Sequence, residues 1–184
     1  MIWNEIICLG DSWTYGARDS YGRSYPAELG RVLSEETGEF YICHNYGVNG
    51  DTSSDLLRRT WRHLKSDPDA RIVLILIGTN DTKTPIPIDI YEDNIRQIVS
   101  SVKANRRTPI LGLLPPLVFN PNYMFNREYI DIYNKSTKDL SGKLGYMTSS
   151  MEDLGDDLID GVHLTHNGYK EMAKKWCQTI LSLR

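Results

Sequence analysis

The stretch Ile72-Val73-Leu74-Ile75-Leu76-Ile77-Gly78-Thr79-Asn80-Asp81 is an apolar run that ends at a glycine followed by polar residues. Strands whose two faces are both covered by helices have such continuous apolar sequences, because neither face meets water. Three other short apolar runs, each with a Gly or Pro breaker close behind it, occupy residues 6–9, 41–43 and 110–114. We therefore predict four buried strands, together with a fifth, short strand over residues 145–148.

Between the predicted strands, apolar residues recur at the three- and four-residue spacing of amphipathic helices. This pattern predicts helices in five segments, which are residues 26–38, 54–67, 88–102, 129–140 and 165–183. By the same spacing, Trp61 and Trp176 are assigned to the core. Because alternating strands and helices are typical of parallel sheets, we predict an α/β fold. It is a three-layer α/β/α sandwich with a central, mainly parallel five-stranded sheet, flavodoxin-like in its architecture, and residues 1–184 are expected to form a single domain.

The composition of the 184-residue chain is that of an ordinary globular protein, with 40% hydrophobic residues and a formal net charge of −3. No basic stripe is present, so nucleic acid is not an expected partner. The apolar runs are too short for a membrane span, which needs roughly 20 residues. The first basic residue is Arg18, so the charged start of a signal peptide is absent and we expect a cytoplasmic protein. The sequence leaves open whether an export signal was removed before this chain was defined.

Ligands of parallel α/β sheets bind beyond the carboxyl ends of the strands, so the loops there are where chemistry is expected. Three polar loops follow predicted strands and a fourth precedes the last helix: Gly10-Asp11-Ser12, Asn49-Gly50-Asp51, Gly78-Thr79-Asn80-Asp81 and Asp160-Gly161-Val162-His163. Taken singly, these residues could cap helices or form turns. Taken together, they supply a hydroxyl nucleophile in Ser12, a base in His163, and a carboxylate in Asp160 that can orient the imidazole.

The same four blocks resemble the SGNH hydrolases, also called GDSL-type esterases and lipases. They match in order across nearly the whole chain, through Gly10-Asp11-Ser12 and residues 45–52, 77–81 and 160–169. The resemblance implies a serine hydrolase that cleaves a small-molecule carboxylic ester through an acyl-enzyme intermediate, without a cofactor or a metal. A short acyl ester, an acetylated carbohydrate, a lysophospholipid or a thioester would each fit the family.

The resemblance also assigns roles to particular residues. It implies that Ser12 is the nucleophile of a catalytic triad, with His163 as the general base and Asp160 as its partner. The implied oxyanion hole consists of the backbone N–H groups of Ser12 and Gly50 and the side-chain amide of Asn80. Removal of one such donor typically lowers the rate by about 10² to 10³.

The chain departs from the family pattern after the nucleophile, where Trp13 stands in place of the name-giving Leu. This difference concerns substrate contacts rather than catalysis. Residues 115–125 follow a predicted strand and are rich in apolar side chains. They are a candidate wall for the acyl or leaving group, and a loop folded onto the core is the equally simple interpretation.

Other functions remain open at this point. One is a relative of the same fold that binds a carbohydrate or acyl ligand without turnover, although such a protein has no need of a complete set of catalytic side chains. Another is a flavodoxin-like FMN binder, which uses loops at the same edge of the sheet. A metal site formed by Asp160, His163 and His166 is not expected, because two imidazoles and one carboxylate leave the shell incomplete. The oligomeric state is not predicted.

Overall fold

A computed structural model describes residues 3–183 of the protein, and its five strands form one sheet in which every pairing is parallel. The strands are β1 (Trp3–Gly10), β2 (Phe40–Gly47), β3 (Ile72–Leu76), β4 (Thr108–Leu113) and β5 (Met147–Ser150). They lie in the order β2-β1-β3-β4-β5, and Ile6 of the central part of β1 pairs with Cys43 on one side and Ile72 on the other. The predicted α/β fold is confirmed, the short fifth strand included. The burial predicted for the strand over residues 41–43 is wrong, because β2 lies at the edge of the sheet and none of its residues is buried.

Helices cover both faces of this sheet. They are α1 (Ser12–Tyr15), α2 (Tyr25–Thr37), α3 (Ser53–Ser66), α4 (Ile88–Ala104), α5 (Glu128–Leu144) and α6 (His166–Leu181). On one face α2 packs against α6, and on the other α4 packs between α3 and α5. All five predicted helices are present, whereas α1 was not predicted because four residues are too few to show a helical period. Among residues 3–183, no helix has the length and apolar character that a bilayer span requires.

The two tryptophans assigned to the core differ in their surroundings. Trp176 on α6 is fully buried, but Trp61 on α3 is 57% exposed, so its assignment to the core is wrong. The buried stripe of α3 is formed by Ser53, Leu56, Thr60 and Leu64. Because each residue advances a helix by about 100°, Trp61 points away from the stripe on which Thr60 lies. Its ring lies instead beside the cationic groups of Arg62 and Lys65.

The direction of strand addition changes at β1, and this change positions the site. From β1 the chain first adds β2 on one side, then returns to add β3, β4 and β5 on the other. The loops after β1 and β3 therefore diverge and leave a crevice at the carboxyl edge of the sheet. Gly47 at the end of β2 is required there, because a Cβ atom would lie 2.0 Å from the backbone nitrogen of Tyr15. Its missing side chain lets α1 pack directly on β2.

Candidate active site

Ser12 lies two residues after the end of β1, at the first position of α1. Asp11 caps this short helix, because its Oδ1 accepts a 3.0 Å hydrogen bond from the backbone N–H of Trp13. Ser12 is 8% exposed, and it lines a cavity of about 380 Å³ at the crevice. The structure thus places the predicted nucleophile on a short helix whose first turn opens onto a cleft.

Trp13 is fully buried, and its indole N–H donates a 2.7 Å hydrogen bond to the carbonyl of Val162. Among the described residues, the indole is not part of the cleft wall. The departure from the family pattern at this position therefore does not place a side chain against a substrate. It ties the turn that carries Ser12 to the turn that carries Asp160 and His163, 149 residues later in the chain.

Asp160 and His163 lie in one tight turn just before α6. The distance from Asp160 Oδ2 to His163 Nδ1 is 2.8 Å, and Oδ1 accepts hydrogen bonds from the backbone N–H groups of Val162 and His163 at 3.1 and 2.7 Å. Burial by itself raises the pKa of the Asp160 carboxyl, but the hydrogen bonds from His163 outweigh it and hold the pKa below its ordinary value. A charged carboxylate places the ring proton on Nδ1 and leaves Nε2 as the basic nitrogen.

Ser12 and His163 line the same cleft, as the sequence predicts for a nucleophile and its base. Within residues 3–183, no hydrogen bond of 3.5 Å or less joins their side chains. Such catalytic hydrogen bonds are often long until a substrate closes the site. The structure therefore brings Ser12 and His163 to one cleft, and Asp160 is joined to the His163 ring without lining that cleft itself.

Gly50 and Asn80, the other predicted oxyanion donors, line this cleft as well. The φ angle of Gly50 is +85°, and no atom lies within 4 Å of the place where its Cβ would be. Glycine is thus favoured by the left-handed backbone, and the space beside it is not filled by other protein atoms. The Asn80 amide nitrogen donates to the carbonyl of Asp51 at 2.9 Å and, more weakly, to Asp11 Oδ2 at 3.4 Å. Both N–H groups of the amide are thus engaged within the protein, so one of these two contacts has to open before Asn80 can donate to another oxygen.

Arg59 on α3 holds the loop that carries Gly50 in place, a role that sequence reasoning missed. Its Nε lies 2.6 Å from Asp51 Oδ2, and its two Nη atoms donate to the carbonyls of Tyr46 and Gly10, each at 2.8 Å. The guanidinium therefore joins the ends of β1 and β2 to the loop between β2 and α3. In the sequence Arg59 is one of several basic residues on an amphipathic helix, so its inward direction could not be foreseen.

The buried carboxyl of Asp11 makes folding stability depend on pH. Desolvation raises the pKa of Asp11 from 3.8 to about 7. The folded protein therefore binds this proton more tightly than the unfolded chain does. Ionisation of Asp11 therefore destabilises the folded protein. The effect is absent below the pKa that Asp11 has in the unfolded chain, grows between pH 4 and 7, and is complete above pH 7.

We expect an Asp11→Asn variant, which cannot ionise here, to gain stability relative to the parent as the pH rises. Between pH 4.5 and 8 the difference in unfolding free energy should shift in favour of the variant by about 3 kcal/mol. Urea denaturation of both proteins at several pH values measures this shift, and any constant effect of the substitution on packing cancels. A difference that does not change with pH would show that Asp11 is already ionised at acidic pH.

The segment proposed as a cleft wall contributes two aromatic side chains. Tyr123 and Phe125, from the loop between β4 and α5, line the cleft together with the cationic Arg18 and Lys83. The Lys83 ammonium lies 5.1 Å from the centre of the Phe125 ring. A wider adjoining groove of about 790 Å³ shares Tyr123, Phe125 and Lys83 and includes the exposed Met124. The two spaces together can accept a polar group near Arg18 and an apolar group near Met124.

The remaining histidines lie apart from this chemistry. His166 Nδ1 is 3.1 Å from Asp19 Oδ1, so His166 does not join Asp160 and His163 in a metal-ligating group. His44 lies between two carboxylates, with Nε2 at 3.0 Å from Glu5 and Nδ1 at 3.3 Å from Asp67. Over residues 3–183, this trio is the single cluster whose ligand atoms come close enough to hold a metal ion. The two carboxylates lie against opposite nitrogens of the ring, so each already has the imidazole as a polar partner.

Comparison of the sequence with known families gives one match that covers most of the chain. Residues 8–171 match the family described as GDSL-like Lipase/Acylhydrolase. The thioesterase 1/protease 1/lysophospholipase L1 of Escherichia coli K12 is 31% identical over 136 residues, which is 74% of this chain and 62% of that protein. The chain thus matches less than two thirds of the length of this relative. A multidomain esterase of Ruminococcus flavefaciens is 26% identical over 96% of this chain and 28% of its own.

Solved structures with the same fold include carbohydrate esterases. Est24, a carbohydrate acetylesterase from Sinorhizobium meliloti, superposes with a TM-score of 0.85 over 98% of this chain and all of its own, at 18% identity. An acetyl xylan esterase from Geobacillus stearothermophilus gives a TM-score of 0.80 at 22% identity, covering 96% of this chain and 94% of its own. At these identities the likeness concerns the fold alone.

Proposed function

Because the chain belongs to the GDSL-like lipase/acylhydrolase family, we propose that it hydrolyses a carboxylic ester through a covalent acyl intermediate on Ser12. The observation that carries the proposal is the convergence of Ser12, His163, Gly50 and Asn80 on one cleft. His163 is held there by a 2.8 Å contact to Asp160. Nucleophile, base, orienting acid and oxyanion donors are the complete set that acyl transfer needs.

In the proposed reaction, His163 Nε2 takes the proton of Ser12 Oγ while that oxygen attacks the carbonyl carbon. The carbonyl oxygen becomes an oxyanion, which the N–H groups of Ser12 and Gly50 and the amide of Asn80 stabilise. His163 then gives its proton to the leaving alcohol, and the acyl group stays on Ser12. A water molecule, activated by the same ring, attacks the acyl carbon and releases the acid and the free serine.

The surroundings of the site support this assignment of roles. Asp160 accepts two backbone hydrogen bonds through Oδ1, so its Oδ2 is held in place toward His163. Gly50 has a fixed left-handed backbone, and the loop around it is tied down by Arg59. Donors that need not move as charge develops give the largest electrostatic contribution to such catalysis.

The substrate that we propose is a small-molecule ester. Relatives and fold neighbours bear names that include thioesterase, lysophospholipase and carbohydrate acetylesterase. The cavity beside Ser12, about 380 Å³, is large enough for an acetylated sugar or a short acyl ester. The adjoining groove, whose lining mixes aromatic, apolar and charged side chains, could hold a longer acyl chain or a polar leaving group. Acyl-length profiling with matched esters is the measurement that separates these substrates.

A fluorophosphonate probe tests the proposed function, because it reacts with activated serines. We expect intact-mass analysis to show one adduct on the parent protein, and peptide mapping to place it on Ser12. The Ser12→Ala variant should give no adduct, whereas Ser101→Ala, on the distant α4, should be labelled like the parent. If the folded parent gives no adduct and does not hydrolyse activated short-chain esters, the non-catalytic ligand-binding function replaces this one.

A further inference from the structure

Asp160 has one more hydrogen-bond partner, which the reaction steps above do not use. Tyr123 Oη donates to Asp160 Oδ2 at 3.1 Å, and this is the oxygen that lies 2.8 Å from His163 Nδ1. Arg18 Nη2 donates in turn to Tyr123 Oη at 3.4 Å, and Arg18 Nε lies 3.7 Å from Asp160 Oδ2. We propose that Tyr123 and Arg18 are positioning residues that hold Asp160 and limit its pull on the His163 proton. The catalytic meaning of this proposal rests on the proposed function.

The loop between β4 and α5 is fastened to the turn of Asp160 by its backbone as well. The Val118 N–H donates to the carbonyl of Gly161 at 2.9 Å, and the Asn120 amide donates to the carbonyl of Asp160 at 2.7 Å. A Cβ atom on Gly161 would lie 2.5 Å from the Val118 carbonyl oxygen, so glycine is required for this close docking. The approach of Tyr123 to Asp160 is therefore part of a built contact between two loops.

Arg18 reaches this contact at a cost in backbone energy. Its φ angle is +68°, in the left-handed region that residues other than glycine seldom adopt. The hydrogen bond to Tyr123 and the charge of Asp160 raise the pKa of the guanidinium above its ordinary value, so the group is charged at every relevant pH. Strained residues with such side-chain contacts are concentrated at functional sites.

The effect on the acid–base pair follows from electrostatics. Both the Tyr123 hydroxyl and the Arg18 cation draw on the negative charge of Asp160 Oδ2. Less of that charge is then available to stabilise a protonated His163 ring. Removal of either group should leave Asp160 more attractive to the ring proton, so that His163 loses its second proton at higher pH.

Other charged and titratable groups around the pair are already engaged or act more weakly. Asp19, from the segment after α1, binds His166 of α6 and the backbone N–H groups of Tyr21 and Arg23. Tyr169 of α6 donates its hydroxyl to the carbonyl of Ala17. Lys83 lines the same cleft, with its ammonium over an aromatic ring. In the described part of the chain, Tyr123 and Arg18 are the groups that contact Asp160 Oδ2 besides His163.

The test measures the His163 ring directly by following its Cε1–H signal in a proton NMR pH titration. The chain has four histidines, and the signal missing from His163→Gln identifies the one of interest. We expect the midpoint in Tyr123→Phe to lie about 0.5 pH unit above that of the parent, because part of the energy of a hydrogen bond to a charged group differs between the two ring states. Arg18→Gln should also raise the His163 midpoint. Arg18→Lys keeps the positive charge, so its midpoint should lie close to that of the parent.

Tyr15 provides the matched control. It lines the same cleft and is 55% exposed, and its hydroxyl has no hydrogen-bond partner among the described residues. Tyr15→Phe should therefore leave the His163 midpoint where it is in the parent. An unchanged midpoint in Tyr123→Phe overturns the proposal, since Tyr123 would then be a cleft wall only.

A kinetic arm separates this proposal from the proposed function. In Tyr123→Phe the acid limb of the kcat/KM profile should move up with the NMR midpoint, and kcat should fall more than KM changes. If Tyr123→Phe shifts the His163 midpoint but the parent protein hydrolyses no ester, the positioning role is supported and the proposed function is contradicted. If the parent hydrolyses esters but Tyr123→Phe changes neither the His163 midpoint nor the acid limb, the proposed function is supported and the positioning role is contradicted.

Discussion

The Ser12→Ala variant is expected to lower the kcat for hydrolysis of an activated ester by about 10⁴- to 10⁶-fold, and His163→Ala should lower it by a similar factor. Each change removes one half of the same proton transfer, so neither remaining group can act alone. The double variant should therefore be no slower than either single variant by more than a few-fold. Kinetics at saturating substrate measure these losses.

The control for this prediction is the fold itself. Ser12 is 8% exposed and its side chain is small, so Ser12→Ala should unfold at nearly the same urea concentration as the parent. Additive losses in the double variant would mean that the two residues act in separate steps. A Ser12→Ala variant that keeps even a hundredth of the parent activity would remove Ser12 from the role of nucleophile.

The kcat of the Asp160→Asn variant is expected to be about 10⁴-fold lower than that of the parent, although the substitution only replaces one carboxylate oxygen with an NH₂ group. The amide oxygen can still accept the two backbone hydrogen bonds now made to Oδ1. The amide nitrogen then faces His163 Nδ1, at the position where Oδ2 now lies 2.8 Å away. Because an amide N–H cannot accept the Nδ1 proton, the ring is forced into the tautomer that carries its proton on Nε2 and cannot accept one from Ser12.

Two measurements distinguish this tautomer effect from a loss of structure. The urea midpoint of Asp160→Asn should stay close to that of the parent, since packing and backbone bonds are retained. Asp160→Ala, which leaves Nδ1 free to carry the proton again, should be no slower than Asp160→Asn despite the larger change. If the asparagine variant instead retains more than a tenth of the parent kcat, orientation of His163 does not depend on Asp160.

The fold was predictable from sequence where burial leaves a continuous signal. Each predicted strand overlaps a strand of the sheet. The signal is strongest for β3 and β4, because both of their faces are buried and their sequences are continuously apolar. Periodicity failed for Trp61, since a helix can bear a large apolar residue beside its buried stripe when cations cover the ring. It also gave no sign of α1, whose four residues are held by the Asp11 cap and by contact with β2.

The site was predictable to the extent that its residues lie close in sequence or within recognisable blocks. Asp160 and His163 are three residues apart, so one turn brings them together. Tyr123 and Arg18 are 105 residues apart and lie in irregular loops, where no periodicity indicates which way a side chain points. Their approach to Asp160 follows from tertiary docking alone.

The hydrogen bond between the Trp13 indole and the Val162 carbonyl has a consequence for the order in which the protein becomes functional. During synthesis Ser12 emerges about 150 residues before His163, its proposed base. At roughly 5 to 20 residues per second, this interval lasts on the order of ten seconds. A nascent chain therefore carries Ser12 without its proposed base until the turn of Asp160 and His163 docks, so we expect the proposed hydrolysis to begin only after all five strands have been translated.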